Sequence, residues 1–175
     1  MRIMIVALVL VAVVSLSMWA QQPGGQRQNQ GAALPPGGQI TAAEVAAIVA
    51  MQPKDRNGNQ RLLQLAPYNV NMEHRVPVAQ NASVHEKEAE LFYIIGGGGT
   101  IVTGGKLVNA NTTNPDNPSG SSIEGGTSRK LAKGDFVLVP EGVPHWFSEI
   151  TSDQIVYLVV RIDPHKVLPA GYGAK

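Results

Sequence analysis

The chain contains no cysteine. This excludes disulfide staples, thiolate metal centres, a cysteine nucleophile and a lipid anchor placed on a cysteine behind a signal segment. Any metal must be held by imidazole and carboxylate. Imidazole is itself scarce: His74, His85, His145 and His165 are the whole supply. Charge of one sign is also lacking, with 14 Lys and Arg against 13 Asp and Glu, and the balance is level once Arg2 is set aside. A neutral chain with no basic block gives no electrostatic reason to expect nucleic acid or anionic lipid as a partner. No internal repeat is present, so a single copy of the domain is expected.

What is there suffices for one domain. The chain has 175 residues, of which 43% are apolar, enough to bury a core of its own. Arg2 precedes an unbroken apolar run from Ile3 to Val14, and Ala20 stands just before Gln21. A charged start, a short greasy stretch and a small residue are the pattern of a secretory signal over 1–20. The run is short for a membrane span. The other reading is an uncleaved N-terminal anchor, and both place the domain outside the cytoplasm. A bacterial periplasmic or secreted location is expected, with no membrane attachment after removal of the signal. Residues 21–39 form a linker in which Gln, Gly and Pro supply 14 of 19 positions. The single domain is expected over 40–175.

That domain opens on "TAAEVAAIVAMQ", residues 41–52. Thr41 and Glu44 make a capping box, and Pro53 ends the helix. From there the pattern is one of strands, over 61–65, 68–76, 91–95, 100–103, 128–132, 136–140, 145–150 and 154–162. In the second, Val70, Met72, His74 and Val76 share one face, and Asn71, Glu73 and Arg75 the other. One helix followed by many short strands with Gly and Pro turns points to an all-β sandwich or barrel. "IIGGGGTIVTGG", 94–105, lacks the lysine and the following helix of a phosphate-binding loop. It is expected to be a strand–turn–strand in which 100–103 pairs with 91–95. Residues 104–122 read as a polar surface excursion.

Two segments carry chemistry. In "GDFVLVPEGVPHWFSEI", 134–150, Pro140, Gly142 and Pro144 form a stiff turn that delivers His145 to the start of a strand. A histidine so delivered points into a barrel with its position fixed, as a metal ligand must be. By alternation His145, Phe147 and Glu149 share a face. In "SVHEKEAELF", 83–92, one histidine and three glutamates precede an aliphatic strand. A solvated hairpin and a metal site at a barrel mouth both fit this segment taken alone.

The spacing G-x5-P-x-G-x2-H, from Gly134 through Pro140 and Gly142 to His145, resembles the second conserved motif of the cupin superfamily. His85, four residues, Glu90, six residues and Gly97 resemble the second half of the first motif. The resemblance covers 83–149, with both motifs in the expected order. It implies an all-β, cupin-type double-stranded β-helix (jelly-roll) barrel with a short N-terminal helix. Two positions depart from the family pattern: Ser83 replaces the usual first histidine, and Glu149 stands where an asparagine is common. The implied metal set is therefore His85, Glu90 and His145. Two imidazoles and one carboxylate suit Fe(II), and equally Mn, Co, Ni or Zn. Phe92, Ile94 and Phe147 are expected to line the barrel beside the metal, with Tyr93 and Trp146 facing away. Glu149 is expected to act as base or to orient a bound water. Glu86 and Glu88 read as solvated turn residues, Glu86 doubling as a rival carboxylate. His74 is either a hydrogen-bonded core residue or the substitute for the histidine missing at 83, and His165 lies on the surface.

These residues lead to an extracytoplasmic metal-binding cupin with a small-molecule ligand or substrate. Its sharpest form is a non-haem Fe(II)-type dioxygenase. The alternatives are a non-catalytic binding protein and a metal-dependent isomerase, epimerase or lyase. A homodimer is implied by the resemblance alone. The barrel-facing positions read as mostly apolar, which favours a small or partly apolar ligand.

Overall fold

The computed structural model describes residues 37–65 and 68–169. The expected signal segment, and the linker as far as residue 36, lie outside the described residues. Among the described residues, no helix is long and apolar enough to cross a membrane.

Helix α1, Ala42–Ala50, starts as its sequence dictates. The Thr41 backbone N–H donates to Glu44 Oε2 at 2.7 Å and the Glu44 N–H to Thr41 Oγ1 at 3.2 Å. This capping box satisfies two donors that a helix start leaves open, which is worth about 1 kcal/mol. The strands follow in chain order: β1 Gly58–Leu65, β2 Tyr68–Arg75, β3 Ala82–Ser83, β4 Ala89–Gly96, β5 Gly98–Thr103, β6 Lys106–Val108, β7 Ser119–Gly120, β8 Ser122–Glu124, β9 Thr127–Ala132, β10 Phe136–Val139, β11 His145–Ile150 and β12 Ile155–Ile162.

They form two five-stranded antiparallel sheets, ordered β1-β2-β12-β4-β10 and β7-β3-β11-β5-β9, with β6 and β8 as a separate pair. The two sheets are the faces of a double-stranded β-helix barrel, the architecture expected from the motifs. Inward positions from both meet in one core: Phe92 and Ile94 of β4, Val139 of β10, and Ile155, Tyr157 and Val159 of β12 from the first sheet, and Ile101, Leu131 and Phe147 from the second. Tyr157 stacks on Phe147 at 5.0 Å and meets Phe92 edge-on at 5.3 Å. Strand β4 shows why alternation works here: Glu90, Phe92 and Ile94 are buried, while Tyr93 stays outside and stacks on Phe136.

Three expectations are corrected. Strands β4 and β5 do not pair: β4 lies between β12 and β10, and β5 between β11 and β9. Gly97, at φ +72°, carries the chain from one sheet to the other. A Cβ there would fall 1.8 Å from the Gln154 carbonyl oxygen, so only glycine fits the crossing. Residues 104–122 are not a bare excursion either. They hold β6 and β7, and the segment returns to bond Val84 N–H to the Pro118 carbonyl and Glu86 N–H to the Asp116 carbonyl. Strands of two or three residues are too short to show a period.

The third correction concerns β2. Its cavity-facing side chains include Glu73 and Arg75, not His74. His74 is fully buried on the opposite face, where Nε2 sits 2.9 Å from the Pro53 carbonyl oxygen and 2.8 Å from that of Arg56. Both faces of β2 are covered, so the alternation of apolar residues did not identify the inward one.

Candidate metal site

The site is built where the two motif segments meet. His85 follows β3, Glu90 lies on β4 facing inward, and His145 opens β11. His145 pairs in register with Ser83, and the Gly142 N–H donates to the His85 carbonyl at 2.8 Å. The proline-glycine turn therefore ties the two histidine segments together through the backbone. Gly142 has φ +71°, a conformation that a residue with a Cβ rarely adopts.

His85, Glu90 and His145 are brought together: one donor atom from each lies within 4.8 Å of the others. His145 Nε2 is 3.0 Å from Glu90 Oε2, and His85 Nε2 is 3.4 Å from Glu90 Oε1. Asn117 Oδ1 accepts from His85 Nδ1. That bond sets the tautomer with the proton on Nδ1 and the lone pair on Nε2, facing the carboxylate. Nδ1 of His145 likewise turns away, toward the Val143 carbonyl at 3.4 Å.

The donor set fits a divalent metal. Glu90 Oε2 is buried and, short as its contact with His145 is, no well-aligned hydrogen bond reaches it. A buried carboxylate oxygen left in this way, facing an imidazole Nε2, is placed as a ligand is placed. Burial alone would raise the Glu90 carboxyl. The close His145 imidazole, with His85 and the Arg161 guanidinium, outweighs burial and holds it down at about 2. Burial pushes His85 down to about 4, against the opposing pull of Glu90. At neutral pH the pair is thus an ionised carboxylate and a neutral imidazole, the forms that metals bind.

The three groups open onto a cavity of about 80 Å³. Phe92 and Phe147 wall it as expected, whereas Ile94 packs in the core cluster and does not line it, and the remaining lining is polar: Glu73, Arg75, Ser83, Tyr157 and Arg161. Arg75 donates from Nε to the Tyr157 hydroxyl at 2.7 Å and from Nη2 to Glu73 Oε2 at 3.0 Å. The Tyr157 hydroxyl donates to the same oxygen at 2.9 Å. The guanidinium also lies over the Phe147 ring, 5.4 Å from its centroid. The expectation of a mostly apolar interior is therefore corrected. A larger groove of about 680 Å³ runs between α1 and the outer face of the first sheet, but its lining is apolar apart from Lys133 and Gln154. It offers no acid–base pair.

Glu149 is not in the site. The register of β11 against β5 slips between Phe147 and Glu149, so alternation breaks at that point. The Glu149 carboxylate is exposed and accepts from Thr100 Oγ1 at 3.4 Å. Glu86 is exposed, and His165 pairs with Glu141 at 3.1 Å on the surface. Glu88 is not a solvated turn residue. It is buried, its Oε2 lies 3.7 Å from Arg161 Nη1, and burial raises its carboxyl.

Arg161, Asn117, Glu73, Arg75 and Tyr157 escaped the sequence reading. Arg161 had a signal: it follows Tyr157 and Val159 at period two on an apolar strand and so faces inward with them. Nothing in a polar loop singles out Asn117.

No family model matches the chain, and no curated protein matches it. Solved structures similar to it include a protein from Thermus thermophilus, at 15% identity and TM-score 0.49, over 66% of this chain and 93% of that one. Another is an RmlC-like cupin family protein with a double-stranded β-helix fold from Methanocaldococcus jannaschii, at 17% identity and TM-score 0.45, over 62% and 81%. A third is described as a predicted oxalate decarboxylase from Thermotoga maritima, at 17% identity and TM-score 0.45, over 61% and 79%.

Proposed function

We propose that this cupin-fold protein is an extracytoplasmic metal centre that acts on a small polar molecule. His85, Glu90 and His145 would hold one divalent ion. The observation that carries this reading is the convergence of one carboxylate and two correctly oriented imidazoles on a small cavity. A bound ion would supply Lewis acidity there, and one-electron chemistry if it were iron. The chain's own residues do the rest. Asn117 and the Gly142 bond fix the His85 segment, and Phe92 and Phe147 keep bulk water from one wall. The Glu73–Arg75–Tyr157 network presents fixed hydrogen-bonding groups to whatever enters.

An Fe(II)-type dioxygenase is one form of this function. The polar lining favours a second, a metal-dependent isomerase or lyase needing no oxygen, because it offers a buried phenol and carboxylate already linked by a hydrogen bond. The extracytoplasmic part rests on Arg2, the apolar run from Ile3 and Ala20. Metal analysis of protein recovered from the periplasm or medium, with its mass, tests both parts. About one metal per chain and a start near Gln21 are expected. Metal-free protein would remove the first part, and recovery of the chain only from the cytoplasm with Met1 retained would remove the second; Met1 retained in a membrane fraction would replace the cleaved signal with an anchor.

A further inference from the structure

Arg161 touches two of the three donors that a metal would need. Its Nε donates to Glu90 Oε1 at 3.0 Å, and Nη2 lies 3.3 Å from His85 Nε2. Since Asn117 takes the proton of Nδ1, the His85 Nε2 atom carries the ring's single in-plane lone pair. That pair can go to an N–H or to a metal, not to both. A guanidinium is a cation as the metal is, so the contest is between two cations for one site. A second acceptor stands beside it: Glu88 Oε2 is 3.7 Å from Nη1, buried, and paired with nothing but Arg161 among the described residues.

We propose that Arg161 is a resident cation of this site. It holds His85 and Glu90 in the metal-free chain, gives up the His85 nitrogen when a divalent ion enters, and is kept paired by Glu88 when it does. Arg161 and Glu88 together then set the metal affinity, without either being a ligand. The inference rests on the metal reading of His85, Glu90 and His145.

Three features follow. Removing the guanidinium should tighten metal binding, although a cross-strand partner of Glu90 is lost. Removing Glu88 should weaken it, because the displaced arginine has nowhere to go. The effect of Glu88 should exist only while Arg161 is present. A carboxylate acting merely as nearby negative charge would help a cation equally in both backgrounds.

The test is Co²⁺ affinity, read by competition with a chromophoric chelator on the folded full chain. Arg161→Gln is expected to bind Co²⁺ about 10-fold more tightly, the worth of one charge-assisted hydrogen bond. Arg161→Lys keeps the charge but cannot span both acceptors, and should tighten binding by less, which keeps the test open if the Gln variant unfolds. Glu88→Gln should weaken binding alone and change nothing on top of Arg161→Gln. Unchanged or weaker Co²⁺ binding in both arginine variants would overturn the proposal, as would an equal Glu88 effect in both backgrounds. Parent affinity that survives His145→Ala would overturn the metal reading itself, whatever Arg161 does.

Discussion

Arg161 of β12 stands directly opposite Glu90 of β4 in the sheet register, and the two side chains bond at 3.0 Å inside the barrel. Opposed residues on neighbouring strands have Cβ atoms about 5 Å apart and point to the same face. The pairing of β12 with β4 therefore delivers a guanidinium to the carboxylate of the candidate site with no help from a loop. The same register sets Val159 against Phe92. The apolar wall and the charged rim are thus alternate rungs of one ladder, on the same face of the sheet.

His145→Ala should abolish most metal binding while leaving the barrel folded. Its ring is one of two imidazoles in the donor set, and the core cluster beneath it is apolar. Changes to residues that merely orient a ligand cost about 10–100-fold in affinity, so loss of the ligand should cost at least that. Circular dichroism and metal content of the purified variant check the two halves. Unchanged metal content in a folded variant contradicts the assignment.

Stability of the metal-free protein should fall toward acid in two steps. His85 is held at about 4 against an ordinary 6.5, so the unfolded chain binds its proton first. Its contribution is present above pH 6.5 and is lost as pH falls to 4, a change on the order of 3 kcal/mol. Glu90, held at about 2 against 4.5, adds a further loss as pH falls from 4.5 to 2. Urea unfolding midpoints in chelator across pH 8 to 3 measure this. A midpoint flat from 7 to 4 would show that His85 is not the buried neutral ring described.

Most of the barrel was legible in the sequence because it is written in periods. Strand β4 alternates cleanly, and the Thr41–Glu44 box marked the helix start. The His85, Glu90 and His145 cluster was legible because motif spacing encodes it. What failed had physical causes. A register slip after Phe147 turned Glu149 outward, and alternation cannot foresee a slip. Strand β2 is buried on both faces, so its charged inner side looked like the outer one. Asn117 reaches His85 from 32 residues away through a loop with no period at all.

Tyr157→Phe should destabilise the protein by about 1–3 kcal/mol. The lost hydroxyl is the acceptor for Arg75 Nε and a donor to Glu73 Oε2, both inside the cavity. The stacking on Phe147 and the edge-on contact with Phe92 would persist, so the deficit isolates the hydrogen bonds. Chemical denaturation gives the value. A variant as stable as the parent would mean that the network is satisfied by water.

Ser83→His tests how the site copes without the histidine that the cupin pattern places there. Ser83 lines the cavity and pairs in register with His145. A serine hydroxyl is a poor ligand for a first-row divalent ion, and imidazole is a good one. Replacement should therefore add a fourth protein ligand, tighten metal binding and depress any activity that needs the open positions, whereas Ser83→Ala should leave affinity nearly unchanged. His74→Ala is the matching control. Its ring nitrogen bonds the Pro53 and Arg56 carbonyls, away from the cavity. Its removal should cost about 1–3 kcal/mol of stability and leave metal affinity as it was. Calorimetric titration of the three variants against the parent decides the matter. Weaker binding by Ser83→His, or loss of metal from a folded His74→Ala, would mean that the ion is held by a different set of side chains.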